Sequence, residues 1–187
     1  ISSARDRYGT RGSGSNSDFV LMGGYDTAYR NYTDEWNGSS WAAQTGMPGG
    51  TQSGWYSAAS FGRSSTDAGS VGGYRYNYSR TTKEYNGSSW SYTGNVGTGR
   101  QSNGATGEST NAAVTFGGYS GRDISSTEEY NGSSWSSANA LPYTSSAPGA
   151  MGSLNDALQM AGKNGGSNAQ SCAAYDGTSW SAIASLN

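Results

Sequence analysis

The sequence predicts an all-β fold in which four repeats, each of four short strands, fill the 187 residues as one domain. Three observations carry that reading. Nearly the same six letters occur four times: WNGSSW at 36–41, YNGSSW at 85–90, YNGSSW at 130–135 and YDGTSW at 175–180. Their final tryptophans, Trp41, Trp90, Trp135 and Trp180, are 49, 45 and 45 residues apart, a period that marks a repeat architecture. A small pair, Gly23–Gly24, Gly72–Gly73, Gly117–Gly118 or Ala161–Gly162, ends 17 residues before each of the first three tryptophans and 18 before the fourth.

The elements follow in order within each repeat. Gly12, Gly62, Gly107 and Gly152 mark a first, inner strand where space is tight. A second strand runs up to the small pair. Its apolar residues, Val20 and Met22, Val71, Val114 and Phe116, and Leu158 and Met160, alternate with a period of two, as a strand with one inward face requires. The glycine pair permits a sharp exit or a close backbone approach. A third strand begins near Thr33, Thr82, Thr127 or Cys172 and ends on an aromatic residue. Asn-Gly, or Asp-Gly in the fourth repeat, is the strongest short hairpin signal, and a type I′ turn would give both residues positive φ. The tryptophan then opens a fourth strand, and an apolar residue, Met47, Val96, Leu141 or Leu186, follows it by six positions. Four-stranded units repeated radially make a β-propeller. The expected units are about 1–46, 47–95, 96–140 and 141–187, with Trp90 and Trp135 largely buried between neighbours.

Composition restricts the function classes. Eleven basic against thirteen acidic residues leave no nucleic-acid footprint, and no apolar run is long enough to span a membrane as a helix. No signal peptide is recognisable, and Ile1 suggests that an upstream portion exists. Thirty glycines with abundant Ser, Thr and Asn match disordered chains, but 14 Tyr and 6 Trp at periodic places provide large buried area instead. The single cysteine, Cys172, forms no internal disulfide. It stands in the place of Thr33, Thr82 and Thr127, as a small packing residue would.

The Gly-Gly pairs at 23–24, 72–73 and 117–118, the pairs Tyr85–Asn86, Tyr130–Asn131 and Tyr175–Asp176, and the four tryptophans together resemble the kelch repeat across the whole chain. The phrase TEEYNGSSW with its Gly/Ser/Asn-rich surroundings is similar to kelch-like proteins of tailed, particularly marine, bacteriophages. The resemblance implies a kelch-type β-propeller. Kelch propellers usually have five to seven blades, so four repeats fit either a closed four-bladed ring or a segment of a longer array. Ile1 falls in the phase of Met47, Val96, Leu141 and Leu186, and Arg5 in that of Arg100. The fourth repeat departs most, with Ala161 for a glycine, Lys163 for a tyrosine and Ala174 for a glutamate.

Some kelch-like propellers resemble the copper enzyme galactose oxidase. Copper there needs imidazole ligands, and this chain has no histidine, which also excludes a Ser-His-Asp triad. Glu35, Glu84 and Glu129 recur in phase. Equivalent carboxylates suit a repeated structural hydrogen bond better than an acid–base pair, whose members need different environments. The sequons at Asn37, Asn86 and Asn131 are hairpin turns, and those at Asn31 and Asn77 complete the set. No cofactor, metal or catalytic residue is expected.

The repeats disagree between the small pair and the third strand, at YDTAYRNY, YRYNYSRT, YSGRDISS and KNGGSNAQ. Tyr29, Arg30, Tyr74, Arg75, Tyr76, Tyr78 and Arg122 would share one propeller face, and tyrosine and arginine are enriched at recognition hot spots. The resulting expectation is a non-enzymatic module on a virion surface, tail fibre or appendage, virion-bound or extracellular. It would adhere to a host surface glycan or join other virion proteins, with self-association left open. The alternative is a cellular kelch scaffold for protein partners.

Overall fold

The computed structural model describes residues 1, 4, 12–49 and 57–187. It contains four four-stranded antiparallel sheets, one per repeat, and no helix among the described residues. Sheet 1 is β1 (Gly12–Gly14), β2 (Phe19–Met22), β3 (Thr33–Trp36) and β4 (Trp41–Gln44). Sheet 2 is β5 (Ala59–Ser64), β6 (Asp67–Val71), β9 (Thr82–Tyr85) and β10 (Trp90–Tyr92), and a two-stranded ribbon, β7 (Tyr74–Arg75) and β8 (Asn77–Tyr78), interrupts it. Sheet 3 is β11 (Gly104–Ser109), β12 (Ala112–Phe116), β13 (Thr127–Tyr130) and β14 (Trp135–Ala138). Sheet 4 is β15 (Gly149–Ser153), β16 (Asp156–Asn164), β17 (Ser167–Tyr175) and β18 (Trp180–Ile183). Each sheet is a meander in sequence order, and the inner strands β1, β5, β11 and β15 pack in succession. The arrangement is compatible with a β-propeller.

The small site of the inner strand differs from the expected one in the first repeat. Strand register aligns Gly14, not Gly12, with Gly62, Gly107 and Gly152. A Cβ on any of these four would lie 1.9–2.5 Å from a carbonyl of the neighbouring strand, so only glycine fits the bend. The preceding YGTR and Arg5 lie outside the described residues.

The Asn-Gly turn also corrects the expectation. Gly87 and Gly132 take φ of +91° and +90°, whereas Asn86 and Asn131 stay out of the positive region. Tyr85 pairs with Trp90 and Tyr130 with Trp135, so all four residues Asn-Gly-Ser-Ser form the loop. The asparagine side chain closes it: Asn131 Oδ1 accepts the Ser133 and Ser134 N–H groups at 3.0 and 2.9 Å, and Asn86 Oδ1 does the same for Ser88 and Ser89. This Asx cap satisfies donors that a two-residue type I′ turn would not leave open.

Three apolar clusters lie at the seams between successive sheets. Val20, Met22 and Met47 meet Ala68, Tyr85 and Trp90. Val71 and Val96 meet Ala113, Tyr130 and Trp135. Val114, Phe116 and Leu141 meet Ala157, Tyr175 and Trp180. Each tryptophan leans on the aromatic that precedes its turn, with ring centroids 4.8–5.0 Å apart. Its indole N–H crosses the seam to a threonine of the preceding sheet: Trp90 to Thr33 at 2.9 Å, Trp135 to Thr82 at 2.8 Å, Trp180 to Thr127 at 2.9 Å. Trp180 is buried, while Trp90 and Trp135 are half-buried rather than enclosed.

The repeated glutamates complete the seams. The Tyr130 hydroxyl donates to Glu84 and the Tyr175 hydroxyl to Glu129, both at 2.6 Å. At the first seam the Tyr85 hydroxyl and a Glu35 oxygen are buried neighbours short of hydrogen-bond geometry. Burial, then the adjoining carboxylate, pushes Tyr130 up to about 12 and raises Tyr85 and Tyr175 further. Between sheets 2 and 3 the connecting Arg100 is fully buried. It pairs with Glu128 and donates to the Gly117 and Ser126 carbonyls at 3.1 and 3.0 Å. Lys83 holds the place of Glu128 in sheet 2, and burial lowers its ammonium to about 7.

Two outcomes follow from these contacts. Trp135→Ala should cost about 3 kcal/mol of unfolding free energy, at the lower end for a large aromatic because one edge is wet. Urea denaturation measures it, and a loss below about 1 kcal/mol would detach the tryptophan from the seam. From pH about 7 towards the ordinary lysine value, the unfolded chain holds the Lys83 proton and the folded chain does not, so stability rises with pH. Above about pH 10 the unfolded chain sheds tyrosine protons that folded Tyr85, Tyr130 and Tyr175 retain, so stability falls. Thermal denaturation should therefore show a maximum near pH ~9–10, and Lys83→Met should remove the rising limb. A flat curve between pH ~7 and ~9 in the unaltered chain would contradict the Lys83 assignment.

Candidate functional site

The variable segments leave the sheets at the end where β2, β6 and β12 finish. Gly23, Gly24, Gly72, Gly73, Gly117 and Gly118 all take positive φ, between +59° and +110°. Side chains would not fit at three of them: a Cβ on Gly72 would lie 2.7 Å from the Arg100 carbonyl, one on Gly117 2.4 Å from that of Ser145 and one on Gly118 2.9 Å from that of Gln101. In sheet 4 Ala161 takes φ of +53° beside Gly162 at +109°.

After the pair, three of the four segments adopt one backbone motif despite their different sequences. Tyr25 pairs with Tyr29, Tyr74 with Tyr78 and Tyr119 with Asp123, and each five-residue turn is closed by a bond to the second glycine carbonyl. The donors are the N–H groups of Arg30, Ser79 and Ile124, at 2.9, 2.8 and 3.0 Å. In sheet 4 the segment instead extends β16 and β17 as a long hairpin through Gly165–Gly166, with Lys163 paired to Asn168. The variation that marks these segments is therefore one of side chains on a common frame.

Sheets 2 and 3 join their turns into a row of rings. Tyr74 and Tyr78 are 5.4 Å apart between centroids, and Tyr78 and Tyr119 are 5.8 Å apart at 66°. At the tip of the β7–β8 ribbon Tyr76 is 74% exposed, with the Arg75 guanidinium 4.9 Å over its ring. Tyr76 takes φ of +61°, whereas the matching tip in sheet 3 is Gly121 at +79°. Holding a tyrosine there costs roughly 1 kcal/mol, so the side chain is kept at a conformational expense that glycine avoids. Arg75 Nε and Gln101 Oε1 are buried beside these turns without a hydrogen-bond partner.

The remaining expected residues are Tyr29, Arg30 and Arg122. Tyr25 and Tyr29 form their own pair, 5.5 Å apart. Arg30 is tied to Asp26, which holds its guanidinium above the ordinary arginine value, and lies 5.5 Å from the Tyr32 ring. Arg122 is exposed near the sheet 3 tip, and its carbonyl accepts from Ser120 N–H at 2.9 Å. Arg80 turns back to the Val96 carbonyl at 2.7 Å. Among the described residues, no group of three or more His, Cys, Asp or Glu is gathered as a metal site.

The sequence pattern left the lumen between the inner strands unremarked. A cavity of about 380 Å³ is lined by Ser13, Phe19, Phe61, Thr106 and Ala150, so all four sheets contribute. A second, of about 570 Å³, adjoins it at Gly14, Gly62, Thr106 and Gly107 and opens beside the Arg63–Glu108 pair, Ser153 and Asp156.

Compared with known proteins, the chain matches no protein-family model and no curated protein.

Proposed function

We propose that the chain is a non-enzymatic, kelch-type propeller module of a virion surface, tail fibre or appendage that adheres to a host surface glycan. The observation that carries the reading is Tyr76. An exposed aromatic is held at positive φ on a ribbon tip, next to a row of stacked tyrosines, where sheet 3 uses glycine and sheet 1 the smaller Thr27. Strain retained at an exposed position points to use of the side chain. Flat aromatic faces take the apolar face of a sugar ring. The Arg75 guanidinium and the tyrosine hydroxyls supply donors for sugar oxygens. The TEEYNGSSW phrase at 127–135 and the low-charge Gly/Ser/Asn-rich composition support placement on a virion.

The test separates the side chain from the fold. Tyr76→Gly relieves the positive φ, and that relief roughly offsets the added backbone freedom, so stability should change by less than about 1 kcal/mol. Binding to glycan-array hits, or adsorption to host cells, should weaken by about 1–3 kcal/mol, as for a peripheral aromatic hot spot. Unchanged binding with unchanged stability would overturn the assignment of the ribbon tip.

A further inference from the structure

We propose that the Phe19–Trp36–Trp41 face of the first sheet is built to receive the Cys172–Ala174–Leu186 face of the fourth, closing the chain on itself through a fourth seam of different chemistry. The inference rests on the propeller reading and is independent of the ligand. At the three observed seams the leading face of one sheet offers a small residue, an aromatic and a tryptophan. The trailing face of the preceding sheet offers two strand apolars, a threonine, a glutamate and the apolar residue that follows its own tryptophan.

Both partners of a fourth seam exist, and each has exposed members, although Cys172 itself is buried. Trp41 is 38% exposed and Trp36 half-exposed, whereas Tyr85, Tyr130 and Tyr175, which match Trp36, are buried. Leu186 is 50% exposed, while Met47, Val96 and Leu141 are buried. Met151 matches Phe61 in register and is 52% exposed, whereas Phe61 packs 5.9 and 6.1 Å from the Tyr130 and Trp135 rings. Asp18 and Asp67 each accept a backbone N–H from the next sheet, at Ser65 and Thr110, and the matching Asp156 lies exposed.

The substitutions on the two faces match each other. Where the other seams pair tyrosine with glutamate, the first sheet has Trp36, which lacks a hydroxyl, and the fourth has Ala174, which lacks a carboxylate. The larger indole meets the smaller side chain, and no buried polar group is orphaned. Where the other indoles find Thr33, Thr82 and Thr127, Trp41 would find Cys172, whose sulfur is a weak acceptor. A further repeat carrying the usual glutamate would strand its carboxylate against Trp36, so the face suits sheet 4 rather than another copy of the common repeat. Sheets 1 and 4 flank one lumen, with Phe19 and Ala150 lining the same cavity, which favours closure within one chain.

A double-mutant cycle tests the seam. Ala174→Glu should lower the melting temperature by about 4–8 °C, as burial of an unpaired carboxylate does in a chain of this size. Adding Trp36→Tyr should restore roughly half of that or more by rebuilding the tyrosine–glutamate pair. Additive effects, with Ala174→Glu neutral, would overturn the proposal. A coupling that grows with protein concentration, together with a solution mass above one chain, would assign the face to a second copy and equally overturn it. Hydroxyl-radical footprinting of the unaltered chain needs no variant. Protection of Trp41, Met151 and Leu186 relative to Tyr76 supports the seam, and equal labelling refutes it. Glycan binding through Tyr76 is read separately, so either proposal can fail without the other.

Discussion

Everything in this molecule depends on one constraint: a four-stranded meander of short strands cannot bury its own faces. With strands of three to six residues in most places, each sheet has too little apolar area to stand alone. Covering comes from the next sheet in sequence, and the same device is used each time. A tryptophan lies on the aromatic before its turn and sends its indole N–H across to a threonine, and at the second and third seams the tyrosine also reaches a glutamate. The polar bonds secure register and the rings supply area. The repeat period is thus the distance needed to build one sheet and present the next tryptophan.

Inside that frame the polar interior is arranged by position rather than by a common rule. The place that holds buried Glu128 in sheet 3, satisfied by Arg100 and by Gly97 N–H at 2.6 Å, holds buried Asp34 in sheet 1, Lys83 in sheet 2 and Ala173 in sheet 4. A buried pair of this kind demands complete hydrogen bonding, and Arg100 meets it through carbonyls as well as the carboxylate. The repeats are therefore interchangeable in outline and distinct in their interiors, which helps each sheet find its own neighbour.

The tyrosine-bearing turns arise from the same economy. The turns after the glycine pairs share a backbone because the pair and the closing bond to its carbonyl determine their path. Side chains at the tips are then released from packing duties. Tyr74, Tyr78 and Tyr119 use part of that freedom to join two sheets, and Tyr76 projects beyond them. Arg30 is tied on its own turn to Asp26, four residues earlier.

The strands, their order and the seam residues were legible in the chain, because period-two alternation and a 45-residue recurrence report local pairing and burial directly. The structural role of Glu84 and Glu129 was legible for the same reason, since equivalent residues occupy equivalent sites. Three features were decided only by tertiary structure. The inner-strand glycine of the first repeat is Gly14, because register is determined by the partner strand and not by spacing from a motif. The Asn-Gly turn is a four-residue loop, because the asparagine side chain finds serine N–H groups that the dipeptide signal does not include. Which tyrosines and arginines form one surface depended on how neighbouring sheets set their turns side by side. Spacing along the chain carries no information on that, because contacts between sheets join residues some 40 to 60 positions apart, such as Trp90 and Thr33.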